Sequence, residues 1–195
     1  MKTKTYRPGD IVGITPTSLI PVMGSYFSSK LLNPSTPLFH FLVIGRKIPR
    51  EDDYEIYESI SKGVSIGRLS WYNDSSYVVF RPSMGDGNKA ILQVSKFGRT
   101  KYDYLLIAKL FLSVIKCWFV QLREEHKLRK IEVEEIPYAQ DDQFICTELA
   151  NAVWRSIDFP LIPKGVVPIP ASFARAHQQG KMPVIGINMP ASIQK

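Results

Sequence analysis

The feature that most constrains this chain is an almost uninterrupted apolar stretch at residues 104–122. Its length suits a membrane-spanning helix. Lys109 and Lys116 lie inside it, however, and a lysine at the centre of a bilayer costs about 2.5–3.5 kcal/mol. Together with Ser113 they form one narrow polar stripe at helical spacing. We therefore predict an enlarged helix at 103–130 that lies in the protein core, with a helix lying on a membrane surface as the alternative.

The composition indicates one globular domain. The chain has 195 residues, of which 45% are hydrophobic and 11% aromatic, and this is enough for a real core. Cys117 and Cys146 are too few for a disulfide framework, and the three histidines have no metal-site spacing, so we expect neither metal nor cofactor.

The N-terminus lacks the apolar core of a signal peptide. We expect a cytoplasmic protein, with a membrane-peripheral or virion-associated position as the alternative.

The net charge of +7 bears on possible partners. Residues 155–195 carry five basic side chains against one acidic side chain, a local balance of +4 (5 − 1). A basic surface suits anionic polymers, including wall polymers, and membrane headgroups. No run of basic residues alternates with aromatic residues, so we do not expect nucleic acid as a partner.

Residues 143–154 read as an amphipathic helix with Cys146 in its first turn. Apolar residues recur three, four, seven and eight positions after Cys146, which places the cysteine at the start of a buried stripe. Asp141 and Asp142 are N-cap candidates. The positive end of a helix favours a thiolate and hence a nucleophile. The alternative is that Cys146 is a small buried hydrophobic residue.

Two further residues stand out because they are polar in strand-like surroundings. His40 lies at the beginning of an apolar strand at 37–45. It is either a core histidine that makes a hydrogen bond to the backbone or a general base. In the alternating strand at 54–60, Glu58 shares a face with isoleucines, where a carboxylate is costly unless it is paired. A histidine on the adjacent strand would pair with it; otherwise Glu58 would reach solvent from an edge strand.

The rest of the chain sets the domain boundaries. Residues 15–37 form a long loop, and a Pro-rich basic segment at 159–195 packs over the domain as a C-terminal extension with a short helix near 172–178. We expect His126 and His177 to be exposed and Cys117 to be structural. Further strands are predicted at 11–14, 64–69, 77–81 and 131–136, and a helix begins near 89–94.

Five short motifs follow one another along the chain: Gly9-Asp10-Ile11-Val12, His40 at the head of a strand, Ile56-Tyr57-Glu58, Lys101-Tyr102-Asp103-Tyr104 and Ile145-Cys146-Thr147-Glu148-Leu149. In this order they resemble the permuted papain-like group of the NlpC-type hydrolases, closest to its YiiX/YebB-like branch, with lecithin:retinol acyltransferases as more distant members. The resemblance covers residues 8–156. Phe39, Ser59 and Thr147 depart from the residues usual in the family.

The resemblance implies a permuted papain-like α+β domain at 1–158, with a small, partly barrel-like antiparallel sheet packed on the helix that carries the cysteine. It implies Cys146 as the nucleophile, His40 as its base and Glu58 as the group that orients the imidazole. First-turn amides near Cys146 would supply an oxyanion hole. His40 and Glu58 would then lie on neighbouring strands, on one face.

The implied function is a cysteine hydrolase that acts on an amide or ester bond through an acyl-thioester intermediate. A cell-wall peptide amide is the substrate expected from the closest branch. One alternative is a lipid acyl hydrolase or acyltransferase at a membrane surface, which the apolar helix and basic tail would suit. Another is a non-catalytic phage or envelope protein, binding or structural, that keeps the fold.

Overall fold

A computed structural model describes residues 5–15, 30–98, 100–124, 129–138 and 144–190 of the chain. The fold is α+β, as predicted. Within these ranges there are eight strands: β1 (Ile11–Ile14), β2 (Leu32–Asn33), β3 (His40–Lys47), β4 (Tyr54–Ile60), β5 (Gly63–Arg68), β6 (Tyr77–Phe80), β7 (Ile131–Glu132) and β8 (Val184–Asn188). The four α-helices with described bounds are α1 (Gly87–Leu92), α2 (Tyr104–Glu124), α3 (Cys146–Arg155) and α4 (Pro170–Gln178).

Six strands form the main sheet in the order β5-β4-β3-β1-β6-β8, and every neighbouring pair is antiparallel. A hairpin joins β3 to β4, with Leu42 opposite Glu58, and a second hairpin joins β4 to β5 through a two-residue turn at 61–62. The predicted antiparallel sheet is therefore confirmed. Strands β2 and β7 form a separate two-stranded parallel sheet.

Both faces of the central strands of the main sheet are buried. One face carries Phe41 and Val43, which pack with α3 and α4 in one hydrophobic cluster. The other carries Leu42, Ile44 and Ile56. Because successive side chains of a strand point to opposite faces, the continuous apolar run of β3 supplies both clusters.

Helix α3 is buried on all sides rather than along one stripe, because the following segment covers its polar side. Every residue from Cys146 to Trp154 is buried. Asn151 Oδ1 accepts a hydrogen bond from the Ile162 amide at 3.0 Å. The segment after α3 also supplies α4, whose Phe173 is fully buried, and β8, which pairs with β6. The short helix was predicted from the sequence, but the strand was not.

Helix α2 contradicts the prediction of a core helix. It is the one helix among the described residues that is long and apolar enough to cross a membrane, yet only 11% of its most apolar window is buried. One face of α2 packs on the hydrophobic cluster around the small sheet. In this cluster Leu106 is buried, and Leu110 and Val114 are partly buried. The prediction failed because an apolar sequence does not specify how much partner surface the fold provides.

Several element boundaries also differ from those expected. The described part of α2 runs to Glu124, residues 125–128 lie outside the described residues, and residues 129–130 are not helical. The strand expected at 131–136 gives way after Glu132 to a 3-10 helix, Val133–Glu135. Part of the 15–37 loop, at 16–29, lies outside the described residues, as does His126.

Candidate active site

The hairpin of β3 and β4 brings His40 and Glu58 together. His40 begins β3, and Glu58 of β4 is opposite Leu42, so the histidine and the carboxylate are diagonal neighbours on one face of the sheet. Their long side chains span the diagonal, and His40 Nε2 lies 2.8 Å from Glu58 Oε2. The histidine side chain is 23% exposed and the glutamate side chain 5%.

Tyr72 is a further member of this cluster and was not predicted from the sequence. Its hydroxyl donates to Glu58 Oε2 at 2.5 Å, the same oxygen that contacts His40. Burial and the nearby Glu58 carboxylate raise the pKa of Tyr72, so this hydroxyl stays protonated and keeps donating. The residue lies at the end of a 3-10 helix, Leu69–Tyr72, where no periodic pattern in the sequence marks its position.

Cys146 is the first residue of α3 and is 8% exposed. The N-cap position is Ile145, so the expectation that Asp141 or Asp142 caps this helix is wrong; both aspartates lie outside the described residues. Instead Glu148 turns back and accepts a hydrogen bond from the Ile145 amide at 2.8 Å. The positive end of the helix stabilises this carboxylate, and the carboxylate holds the first turn of α3 in place.

The structure places Cys146 and His40 in contact as a coupled pair. Burial opposes charge on both side chains, but each stabilises the charged form of the other. Burial would lower the pKa of His40, yet the Cys146 thiolate, by its charge and by hydrogen bonding, and then Glu58 raise it to about 10. Burial would raise the pKa of Cys146, but the His40 charge and hydrogen bond, with the backbone amides of Phe41 and Thr147, lower it. The pair therefore favours thiolate and imidazolium.

The hydrogen bonds also fix the orientation of the imidazole. Because Nε2 of His40 is engaged by Glu58, Nδ1 is the ring nitrogen that remains for Cys146. The carboxylate of Glu58 has its own pKa held below the usual range: burial opposes this, but hydrogen bonds from His40 and Tyr72 outweigh it. A charged carboxylate behind an imidazole that faces a thiolate can support nucleophilic attack and proton transfer.

Hydrogen bonds connect the segment before Cys146 to β4 and to the start of α2. Phe144 pairs with Tyr102 in a parallel bridge, and its carbonyl accepts from the Ser59 hydroxyl at 2.9 Å. Asp103 Oδ1 accepts from the Leu106 amide at 2.6 Å, so this carboxylate caps α2, as the sequence indicated. These contacts hold the cysteine against the strand that carries Glu58.

The Gly9-Asp10 motif has a structural explanation. Gly9 has a φ of 87°, and a Cβ there would lie 2.6 Å from the Gly87 Cα and 2.8 Å from Trp154. The Trp154 indole also donates to the Gly9 carbonyl at 3.1 Å. Asp10, which is 2% exposed, accepts two hydrogen bonds from Arg81. The motif joins α3 to the sheet behind the site.

Other residues considered from the sequence lie apart from the cluster. Cys117 is partly buried on α2, in the apolar cluster beneath that helix. His177 is exposed on α4 and its Nδ1 contacts the Met182 carbonyl at 2.8 Å. In the part of the chain that the structure describes, no group of three or more His, Cys, Asp or Glu residues could hold a metal ion.

The chain was compared with known proteins at three levels. No protein-family model, curated protein or solved structure matches it. The cluster formed by Cys146, His40, Glu58 and Tyr72 is therefore the feature of this protein that bears on its function.

Proposed function

We propose that this protein is a cysteine hydrolase that cleaves an amide or ester bond through an acyl-thioester intermediate, on a permuted papain-like domain. The observation that carries the proposal is the coupled arrangement of Cys146, His40 and Glu58, in which the thiol pKa is lowered and the imidazole pKa raised. A buried structural cysteine has no need of an imidazole that is itself held by a carboxylate.

In the first half-reaction the Cys146 thiolate attacks the substrate carbonyl carbon, and the carbonyl electron pair moves to oxygen. The Thr147 amide bonds the sulfur in the first turn of α3, which supports a role for it as a donor to that oxyanion. As the intermediate collapses, the leaving amine or alkoxide takes the proton from the His40 imidazolium. The products of this step are a thioester on Cys146 and a neutral imidazole.

In the second half-reaction the neutral His40 removes a proton from water as the water oxygen attacks the thioester carbonyl. Collapse expels the Cys146 thiolate and releases a carboxylic acid, which restores the thiolate and imidazolium. Glu58 stabilises the imidazolium whenever it forms, and Tyr72 holds that carboxylate in place.

The test is to trap the acyl-enzyme. The protein with Cys117→Ser is mixed with a p-nitrophenyl ester, quenched in acid, digested and analysed by mass spectrometry. The proposal expects a burst of p-nitrophenol and an acyl group on the peptide containing Cys146, removable by neutral hydroxylamine as a thioester is. His40→Ala should abolish the burst. A wild-type protein that acquires no adduct on Cys146 with a panel of activated esters and amides would contradict the proposal.

For the substrate, a cell-wall peptide amide is the class implied by the resemblance of the sequence motifs. A second candidate, a lipid acyl ester or amide, is favoured by the position of α2. That helix begins two residues after Tyr102, whose pKa is raised by burial and then by the Cys146 charge, and its outward face is apolar. Competing p-nitrophenyl esters of short and long acyl chains would separate the two: a lipid enzyme prefers the long chain.

A further inference from the structure

The outward face of α2 is unusually apolar for a helix on a protein surface. Its inward face packs on the cluster around Ile131 and Val133 through Leu106, with Val114 and Trp118 alongside. On the remaining surface, eight large apolar side chains are at least 40% exposed. They are Tyr104, Leu105, Ile107, Phe111, Leu112, Phe119, Val120 and Leu122. Single apolar residues scattered over a surface are normal, but a continuous apolar face of this size indicates an interaction site.

A row of cations runs along one side of this face. Lys109, Lys116 and Arg123 are all exposed and follow each other at intervals of seven residues, which is close to two helical turns. Residues 104–123 contain no aspartate or glutamate. The aliphatic stems of such side chains can lie along an apolar surface while their charged ends reach an aqueous or headgroup layer. The charge pattern therefore complements an anionic surface beside an apolar interior.

These features favour a lipid bilayer over a protein as the covering partner. The cores of protein interfaces are depleted of lysine, and a second copy of this chain would bring an identical cationic row with no acidic residue on the helix face to pair with it. The helix also cannot cross the bilayer while its inner face stays packed on the domain through Leu106 and Val114. An amphipathic helix lying in the plane of the interface satisfies both faces.

We propose that α2 docks the protein on an anionic bilayer, with its outward apolar face in the headgroup–acyl boundary and with Lys109, Lys116 and Arg123 against the phosphates. The helix starts next to the Tyr102–Phe144 bridge, and Cys146 follows Phe144 by two residues. Docking therefore holds the candidate active site close to the membrane surface. Binding does not depend on acyl transfer and can be measured without it.

The test is flotation of the full-length protein with vesicles of phosphatidylcholine alone and of equimolar phosphatidylcholine and phosphatidylglycerol. We expect binding to the anionic vesicles that weakens as salt is added. Since each cation near an anionic surface contributes on the order of five-fold to partitioning, changing all three cations to glutamine should reduce it on the order of a hundred-fold. Replacing Lys109 and Lys116 by arginine should preserve it.

The apolar contribution has its own variants and matched controls. Leu112→Gln and Phe119→Gln, at side chains 64% and 62% exposed, should each lower partitioning roughly ten-fold. Met84→Gln and Lys89→Gln change an equally exposed apolar side chain and a lysine away from α2, and should leave binding unchanged. Circular dichroism without vesicles checks that each variant is folded.

Three results would overturn the proposal. The first is that the wild-type protein floats with neither kind of vesicle. The second is a stable dimer in sedimentation that the Phe119→Gln change dissociates, which would show that a second copy covers the face. The third is resistance of bound protein to alkaline carbonate extraction, which would indicate a spanning helix instead of an interfacial one.

Discussion

The substitution Glu58→Gln tests the role of the carboxylate behind His40. Glutamine keeps nearly the same shape and an oxygen that can accept a hydrogen bond, but it removes the negative charge. That charge lies against His40 Nε2 at 2.8 Å and stabilises the protonated imidazole. Removing it must therefore lower the pKa of His40, which in the native protein is raised to about 10.

The size of the effect follows from the separation of the two groups. Unit charges about 4 Å apart interact by about 4 kcal/mol at an effective dielectric constant of about 20. Each pKa unit corresponds to about 1.36 kcal/mol, so the loss of charge has an upper limit of about three units. Because the Cys146 thiolate continues to favour the imidazolium, we expect the pKa of His40 to fall by about one to three units, to about 7–9.

The assay is a pH titration of the imidazole C–H signals by NMR. The chain has three histidines, and the signal missing in His40→Gln identifies the one of interest. Glu55→Gln is the matched control, since Glu55 lies on the opposite face of β4 and contacts Tyr57. A His40 pKa that is the same in Glu58→Gln and in the native protein would refute the assignment of Glu58 as the partner of the imidazolium.

Two other substitutions test the structure around the site. Tyr72→Phe removes a hydrogen bond to the charged Glu58, worth about 1–3 kcal/mol. Because that bond helps hold the pKa of Glu58 down, it stabilises the fold at neutral pH, and this stabilisation is lost as pH falls through the lowered pKa. Denaturant unfolding at neutral and at acidic pH should therefore show a smaller difference in stability between Tyr72→Phe and the native protein in acid. The same difference at both pH values would contradict the hydrogen bond to a charged Glu58. Gly9→Ala should lower the free energy of unfolding by about 3 kcal/mol or more, since its Cβ would overlap Trp154. Gly165→Ala has the same φ of 87° but open space around it, and should lower the free energy of unfolding by about 1–2 kcal/mol. Equal melting temperatures for the two variants would refute the overlap with Trp154 as the cause.

The local parts of the fold were predictable because they depend on side-chain periodicity. The alternation in 54–60 gave β4 with its observed bounds, and Glu58 lies on the face shared with Ile56, as the pattern indicated. The pairing of β3 with β4 was also expected, because the resemblance implies His40 and Glu58 on neighbouring strands. Polar residues in apolar strands were informative because an unpaired buried charge is costly.

Features that depend on distant contacts were not predictable in the same way. Tyr72 reaches Glu58 from a 3-10 helix, and β8 joins β6 across about a hundred residues of chain. The burial of α2 was misjudged because its apolar sequence fits either a core or an interface, and only the surrounding fold shows that one face is covered. The helix start at Cys146 was displaced because Phe144 is held extended by its bridge to Tyr102.

The central claim is that Cys146 is a thiolate paired with His40. The most direct measurement is the rate of alkylation of Cys146 by iodoacetamide from about pH 4 to about pH 9, in a Cys117→Ser background, with and without His40→Ala. We expect a fast reaction that persists well below the ordinary thiol pKa of about 8.5 and is lost or shifted to higher pH without the imidazole. A slow rate that follows an ordinary thiol titration and is indifferent to His40 would contradict the claim.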